Sequence, residues 1–429
     1  MRVLPVLVLL AACAGDDGAP TDEPFTDLGG TLEIPGCSYS LTTRLGAEPP
    51  RLASKAVGSD PAPRLVHLGI MGDPKTSMVV QWRTADETTR ATEIRFGVGA
   101  AVSEGELTET ASGVTFRYRS TGGQILQMHQ AHLCGLTPGT TYSYQVGSSG
   151  HYSPVYTFTT APDVVANPDS EVVFGFVGDS RDGYDVWAQL SELLRERSPD
   201  VILFSGDAVT LGYTQFEWEE FFGRAEALLA RVPLVSAHGN HEVNAVNYYA
   251  QLAMPGDQEN FGFDYGHAHI TVANDSPDDL TSLTGAYRDA IAADFEASKT
   301  ARWKLLMHHQ PIWSASPRHG SSTTLQQSWM PLVDQYSIDL VLNGHDHAYE
   351  ITKPMRSGAV QGSNADGTVY VVAGGAGAEL YESGTDFWTQ YSESTYSAAI
   401  LHVRRDSMML EAFREDGTPI PVGFSKTKP

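Results

Sequence analysis

The sequence predicts two domains in series, an all-β sandwich followed by an α/β/α sandwich. Three observations carry that expectation. Between residues 63 and 160, short segments of alternating polarity recur with turns between them, the period of half-buried strands. From 171 to 425, apolar runs of strand length alternate with segments whose apolar residues recur at helical spacing. Five of those runs stop abruptly at Asp, Asn or His, usually with Gly alongside.

The chain opens with Met1-Arg-Val-Leu-Pro-Val-Leu-Val-Leu-Leu-Ala-Ala-Cys13, one positive charge and then an apolar run too short to span a bilayer. It reads as an export signal over 1–13, and Leu10-Ala11-Ala12-Cys13 resembles a bacterial lipobox whose Cys13 is lipidated. An ordinary cleaved signal with an incidental Cys13 is the alternative. Ala14, where an Asp would favour inner-membrane retention, points to an exported lipoprotein of a bacterial outer membrane or cell surface. Residues 14–62 are expected to be a flexible tether and a transitional segment. The part from 14 to 36 is acidic and rich in Gly and Pro, and Ser38–Thr42 is the one strand signal. Cys37 and Cys134 remain as an even pair, expected to bridge in an oxidising compartment; two free thiols are the other reading.

In the β region, strands are expected at Ser77–Trp82, Ala91–Phe96, Val114–Tyr118, Thr141–Val146 and Val155–Thr159, with Trp82 as the core aromatic. Leu136-Thr-Pro-Gly-Thr-Thr-Tyr142 resembles the corner of a fibronectin type III domain, where a Tyr hydroxyl caps backbone groups. His129, His132 and His151 read as surface or core-edge residues rather than ligands. Residues 161–170 form the linker.

The second domain is expected to hold helices at Tyr184–Leu194, Phe216–Leu229, Ala286–Phe295 and Leu325–Tyr336, and further strands at His269–Ala273, Val369–Ala373 and Ala398–Val403. Its chemistry lies at the five run ends. Asp179 closes Val172–Gly178 and Asp207 closes Val201–Gly206. Asn240 and His241 follow Val232–His238 in the run Gly239-Asn-His-Glu242. His308 and His309 close Trp303–Met307; His345 and His347 follow Ile338–Gly344. Ligand sites in open α/β sheets lie beyond the carboxyl ends of strands. The set mixes oxygen and nitrogen donors without thiolate, which suits a borderline or hard di- or trivalent metal. An Asp shared by two metals would hold them roughly 3.5–4 Å apart, the spacing that activates water and clamps a phosphoryl group. Taken alone, each residue has an ordinary reading: Asp179 or Asp207 as a helix N-cap, His345 or His347 as a turn histidine. Five coincident strand ends favour the common site.

Asp179, Gly206-Asp207, Gly239–Glu242, His308-His309 and Gly344-His-Asp-His347, in this order, resemble the calcineurin-like metallophosphoesterases. The preceding fibronectin-like domain resembles the purple acid phosphatase branch. The resemblance, from about 63 to 425, implies a metal-dependent phosphoric ester hydrolase with two metal ions per chain (Fe, Zn or Mn), acting on a small phosphorylated substrate through a metal-bridged hydroxide. Asp207 would bridge the metals, Asp179 and His347 would hold the first, and Asn240, His345 and His309 the second. His309 is chosen over His308 because it lies two residues before Pro311. His241 would contact phosphate or protonate the leaving oxygen, and His308 would be a neighbouring or substrate-side residue. Two positions depart from the pattern. Thr210 stands where purple members carry a ligand Tyr, and Arg181 where other members carry His. Water, Tyr213 or Asp182 could fill the gap at the first metal. Arg181 could bind phosphate, or pair with Asp182 or Asp185.

Lys plus Arg number 28 against 52 Asp plus Glu, a net charge of −24, which excludes a polyphosphate-binding groove and with it nucleic acid. A small phosphate ester remains admissible because metal charge dominates its neighbourhood. No Gly-x-Ser-x-Gly elbow supports a serine hydrolase. Segments 243–265 and 312–325 are expected to rim the pocket, with Tyr248, Tyr249, Trp313 and Trp329 either shaping it or packing the core. A monoester is the favoured substrate and a phosphodiester the alternative; a metal-depleted surface lipoprotein acting as a binding protein is the reading from a different class.

Overall fold

The computed structural model describes residues 31–42, 44, 46–100, 104–148 and 150–429. The export signal and Cys13 lie outside the described residues, as does the tether up to residue 30. Among the described residues no helix is long and apolar enough to cross a membrane.

The first domain pairs a four-stranded sheet, in the order Arg64–Gly69, Ser77–Arg83, Ile125–Cys134, Val114–Arg119, with a second sheet built on Glu93–Val98 and Thr141–Ser148. Alternate residues Met78, Val80 and Trp82 face the sandwich core, as strand periodicity requires. The opposite face, which alternation assigns to solvent, is buried too, because the second domain covers it. Val79 joins the core of that domain. Gln81 accepts the Ala253 N–H at 2.7 Å, and the fully buried Arg83 pairs with Glu219. Tyr142 makes the expected corner, its hydroxyl accepting the Thr137 N–H at 2.9 Å. His129 lies deeper than a core edge: it is fully buried, stacked on Trp82 at 5.3 Å and hydrogen-bonded to Thr92.

The described part of the segment read as tether and transition is ordered. Thr31–Glu33 pairs antiparallel with Ser40–Thr42, and Cys37 forms a disulfide with Cys134 across a Cα separation of 5.2 Å. Closing so long a loop stabilises by about 4–5 kcal/mol in the chain-entropy account. Beyond the disulfide the strap crosses to the second domain. Ala47 N–H donates to Asn244 O at 2.8 Å, isolated bridges join Glu48 to Ala245 and Arg51 to Thr214, and Arg51 lies over the Tyr213 ring at 4.1 Å. Composition hid this order because the partners are backbone groups far along the chain.

The second domain is an α/β/α sandwich whose middle is two sheets packed face to face. One has the order Leu234–Ser236, Val201–Phe204, Val172–Val177, Ser397–Val403, Ser407–Arg414, Phe424–Thr427. The other runs Phe261–Tyr265, Ala268–Val272, Trp303–Met307, Leu340–Asn343, Val369–Ala373, Tyr349–Thr352, Thr389–Glu393. Pleating divides each strand between layers: Leu305 and Met307 face the sister sheet, whereas Leu306 packs with Ile291, Phe295 and Trp329 of the outer helical layer. Helices occupy Tyr184–Glu196, Gln215–Leu229 and Ala286–Ala297. The expected helix over Leu325–Tyr336 divides into Thr323–Ser328 and Met330–Tyr336, because Pro331 lacks the N–H that would continue it. Tyr248, Tyr249 and Trp329 are buried core residues, and Trp313 packs on Trp388 at 4.9 Å, so none of these aromatics lines the site.

One charged cluster ties a hairpin to its neighbouring helix. His269 is held by Asp264 at 2.8 Å and Asp294 at 3.0 Å. Burial lowers its pKa, but those two carboxylates outweigh the effect and raise it to about 9. The folded pKa lies above the unfolded value, so the stabilisation is complete below about pH 6.5 and is lost as pH rises through 9. His269→Gln should therefore cost about 1–2 kcal/mol at pH 6 after solvent screening. The difference between variant and wild type in urea unfolding should shrink toward pH 10.

Candidate metal centre

Parallel pairing sets the site. Val172–Val177, Val201–Phe204 and Leu234–Ser236 are parallel neighbours in one sheet; Trp303–Met307 and Leu340–Asn343 are parallel neighbours in the other. Their carboxyl ends deliver Asp179, Asp207, Asn240, His309, His345 and His347 to one edge of the packed sheets. The backbone there is forced: Asp179, Asp207 and His345 have φ of 62°, 56° and 69°. Such left-handed non-glycine residues cost on the order of 1–3 kcal/mol each and persist only where surroundings over-determine them. Gly344 is required for close approach, since a Cβ there would stand 2.2 Å from Asp179 Oδ2.

The donors converge on the His309 ring. Its Nε2 is 3.1 Å from Asn240 Oδ1, 3.2 Å from His345 Nδ1 and 3.3 Å from Asp207 Oδ2. Its Nδ1 donates to Ser205 O at 2.8 Å, which leaves Nε2 to present a lone pair when the ring is neutral. Burial disfavours a charged ring here, yet the carboxylates of Asp207 and Asp179 prevail and hold His309 well above its ordinary value. The donor set thus requires a positive charge at this point, and its mixed carboxylate, amide and imidazole atoms fit a divalent or trivalent metal. Asp207, His309 and His345 alone place ligand atoms within 4.8 Å of one another. Nearby, His347 Nε2 lies 3.6 Å from Asp179 Oδ1, while its Nδ1 donates to Glu379 O at 2.6 Å. Burial pushes His347 down to about 4, which keeps that Nε2 free of a proton at neutral pH.

Of the residues expected to act on substrate, two reach the centre. The His241 N–H donates to Asp207 Oδ1 at 2.9 Å and its Nδ1 to Thr210 O at 2.6 Å, leaving Nε2 3.9 Å from Asp207 Oδ2. Arg181 does not pair with Asp182 or Asp185. Asp182 accepts the Thr210 hydroxyl at 2.7 Å and Asp185 pairs with Arg224 at 2.9 Å. Its guanidinium instead lies 3.3 Å from His347 Nε2 and 3.6 Å from Asp207 Oδ2. Tyr213 is stacked under Arg51, so it does not fill the place of the missing Tyr.

His308 does not face the centre. It is fully buried against Trp329, and its Nδ1 meets Asp275 Oδ2 at 2.9 Å, so a substrate-side role is withdrawn. Two residues were missed. Glu242, last of the Gly239–Glu242 run, accepts N–H groups from Asp207 at 3.0 Å, Ala208 at 2.9 Å and Gly239 at 2.7 Å, fixing two ligand loops at once. His319 stacks at 4.3 Å on His345 from the loop after Pro311; no strand end marks it in the sequence.

Residues 63–160 match the purple acid phosphatase N-terminal domain, and residues 172–349 match the calcineurin-like phosphoesterases. The chain belongs to the calcineurin-like phosphoesterases, in their purple acid phosphatase branch. It is therefore a metal-dependent phosphoric ester hydrolase, and the family implies a dinuclear metal centre. Human acid phosphatase type 7 is 29% identical over 80% of this chain and 85% of its own length. Purple acid phosphatase 22 of Arabidopsis thaliana is 27% identical over 80% and 79%. Among solved structures, a purple acid phosphatase from yellow lupin seeds has the same fold, with a TM-score of 0.74 at 16% identity, over 85% of this chain and 74% of that one.

Because Glu242 organises backbone rather than metal, Glu242→Ala should lower stability by about 3 kcal/mol, from several lost charge-assisted hydrogen bonds. It should also reduce the metal retained on gel filtration, measured by plasma mass spectrometry beside thermal unfolding.

Proposed function

We propose that the protein hydrolyses phosphate monoesters in preference to diesters, with Asp207 shared between two metal ions. Asp179 and His347 are assigned to the first ion, and Asn240, His309 and His345 to the second; Fe, Zn and Mn all suit the donor set. The convergence of three donors within 3.3 Å of His309 Nε2, from strand ends of both sheets, is the observation that carries the reading. Bound metals would supply Lewis acidity to phosphoryl oxygens and acidify water toward neutrality.

This chain's residues supply binding and proton handling. Arg181 is placed to take phosphoryl oxygens with its fork of N–H groups, and a dianionic monoester gains more from that charge than a monoanionic diester. His241, fixed through Nδ1 by Thr210 O, presents Nε2 to the departing alkoxide as a proton donor. His319 adds an imidazole beside His345, at 4.3 Å between ring centroids. Thr210 and Arg181, in place of the Tyr and His of the family pattern, favour the metal-depleted binding protein, whereas retention of Asp179, Asp207, Asn240, His241, His309, His345 and His347 counts against it.

Metal analysis with paired assays on p-nitrophenyl phosphate and its diester tests this reading. Two ions and faster monoester turnover support it; turnover of the diester alone, or no turnover with full metal, would overturn it. Asp207→Ala should lower kcat by at least about 10³-fold. His241→Ala should lower it about 10²-fold on an alkyl ester and less on the aryl ester, whose leaving group needs no proton.

We propose further that the chain is exported and tethered through Cys13, a reading supported by the Cys37–Cys134 disulfide, which belongs to oxidising compartments. Mass spectrometry of the mature N-terminus should find a diacylglyceryl group on Cys13; an unmodified later residue at the N-terminus contradicts it.

A further inference from the structure

The two halves of the centre are built unequally. On one side Asn240, His309 and His345 meet Asp207, and Arg181 reaches that side only through Asp207, the carboxylate assigned to both ions. On the other, Asp179 and His347 face each other at 3.6 Å, but both Asp179 oxygens already accept the His345 N–H, at 3.1 and 3.0 Å. Arg181 stands across the same donors. One terminal nitrogen is 3.3 Å from His347 Nε2, its Nε is 3.6 Å from Asp207 Oδ2, and that buried Nε has no hydrogen-bond partner. A guanidinium does not lose its charge at any physiological pH, so it opposes a metal ion at this position permanently. Thr210 offers nothing to offset it, because its hydroxyl is given to Asp182.

We propose that Arg181 makes the pair of metal positions unequal: one ion is held firmly by Asp207, Asn240, His309 and His345, and the other, beside Asp179 and His347, is exchangeable because the guanidinium contests its ligands. This rests on the dinuclear reading above and adds the order and strength of loading. With a second ion bound, Arg181 would need partners other than His347 and Asp207, and phosphoryl oxygens of the substrate would suit its fork of N–H groups.

The test is calorimetric titration of the chelator-stripped full chain with Mn²⁺, with plasma mass spectrometry of ions retained after desalting. The wild type should retain one ion and bind a second at least about tenfold more weakly. Arg181→Gln should retain two, with the second Kd brought to within about threefold of the first. Asn240→Ala should abolish the firm class, which locates it. Equal affinities in the wild type, or an unchanged second Kd in Arg181→Gln, overturn the inference. If Arg181→Gln does not fold, as judged by thermal unfolding, Arg181→Met serves in its place. It too removes the charge, and an unchanged second Kd there likewise overturns the inference. Phosphatase activity is read separately: two equal ions with full activity defeat this inference alone, whereas loading in two classes without activity defeats the functional reading alone.

Discussion

Everything at the strand ends answers to one constraint, the compensation of lone pairs and negative charge gathered around His309 Nε2. Asp207, Asn240 and His345 all direct acceptor atoms at it from within 3.3 Å. In a site this buried, such a gathering is unfavourable unless a cation is present. Without a metal, the proton on His309 is the compensation available, which is why its affinity for that proton rises despite burial. The protein holds the donors together in advance, and the backbone strain at Asp179, Asp207 and His345 is the visible cost of doing so.

That cost is met by supports lying outside the ligand set. Glu242 gathers the N–H groups of the Asp207 and Gly239 loops onto one carboxylate, and burial together with the nearby Asp207 charge raises its pKa to about 7. The turn just beyond it holds Val243 and Asn244 at φ of 45° and 51°, unusual for a β-branched residue. The N-terminal strap presses on this turn through Ala47 and Glu48, and is itself fastened to the β-sandwich by the Cys37–Cys134 disulfide. Among the described residues the first domain thus contributes no side chain to the centre but steadies the loops that form it.

Much of the centre was legible because a strand end is a sequence feature. An apolar run followed by Gly and a ligand names both the position of the residue and the edge it occupies, and all six metal-ligand candidates from Asp179 to His347 are met at one edge. What escaped lacks that signature. His319 sits in a loop with no periodicity, and Glu242 works on backbone groups that no pattern of residue types reveals. His308 misled because two adjacent histidines differ only in which side of the chain each faces. Adjacent side chains on extended backbone point oppositely, so one meets Asn240 while its neighbour meets Asp275 and Trp329.

The sequence by itself determined the two-domain order, the strand and helix periods, and the donor set, because each is written in spacing local to a few residues. Tertiary structure alone decided that the middle layer is two sheets, that the transitional segment with the last residues of the expected tether straps the two domains together, and that Arg181 turns to His347 and Asp207 instead of its acidic neighbours. Those outcomes depend on which distant surfaces bury one another and which charges are thereby left facing. Such energies belong to contacts between segments scores of residues apart, and no local pattern encodes them.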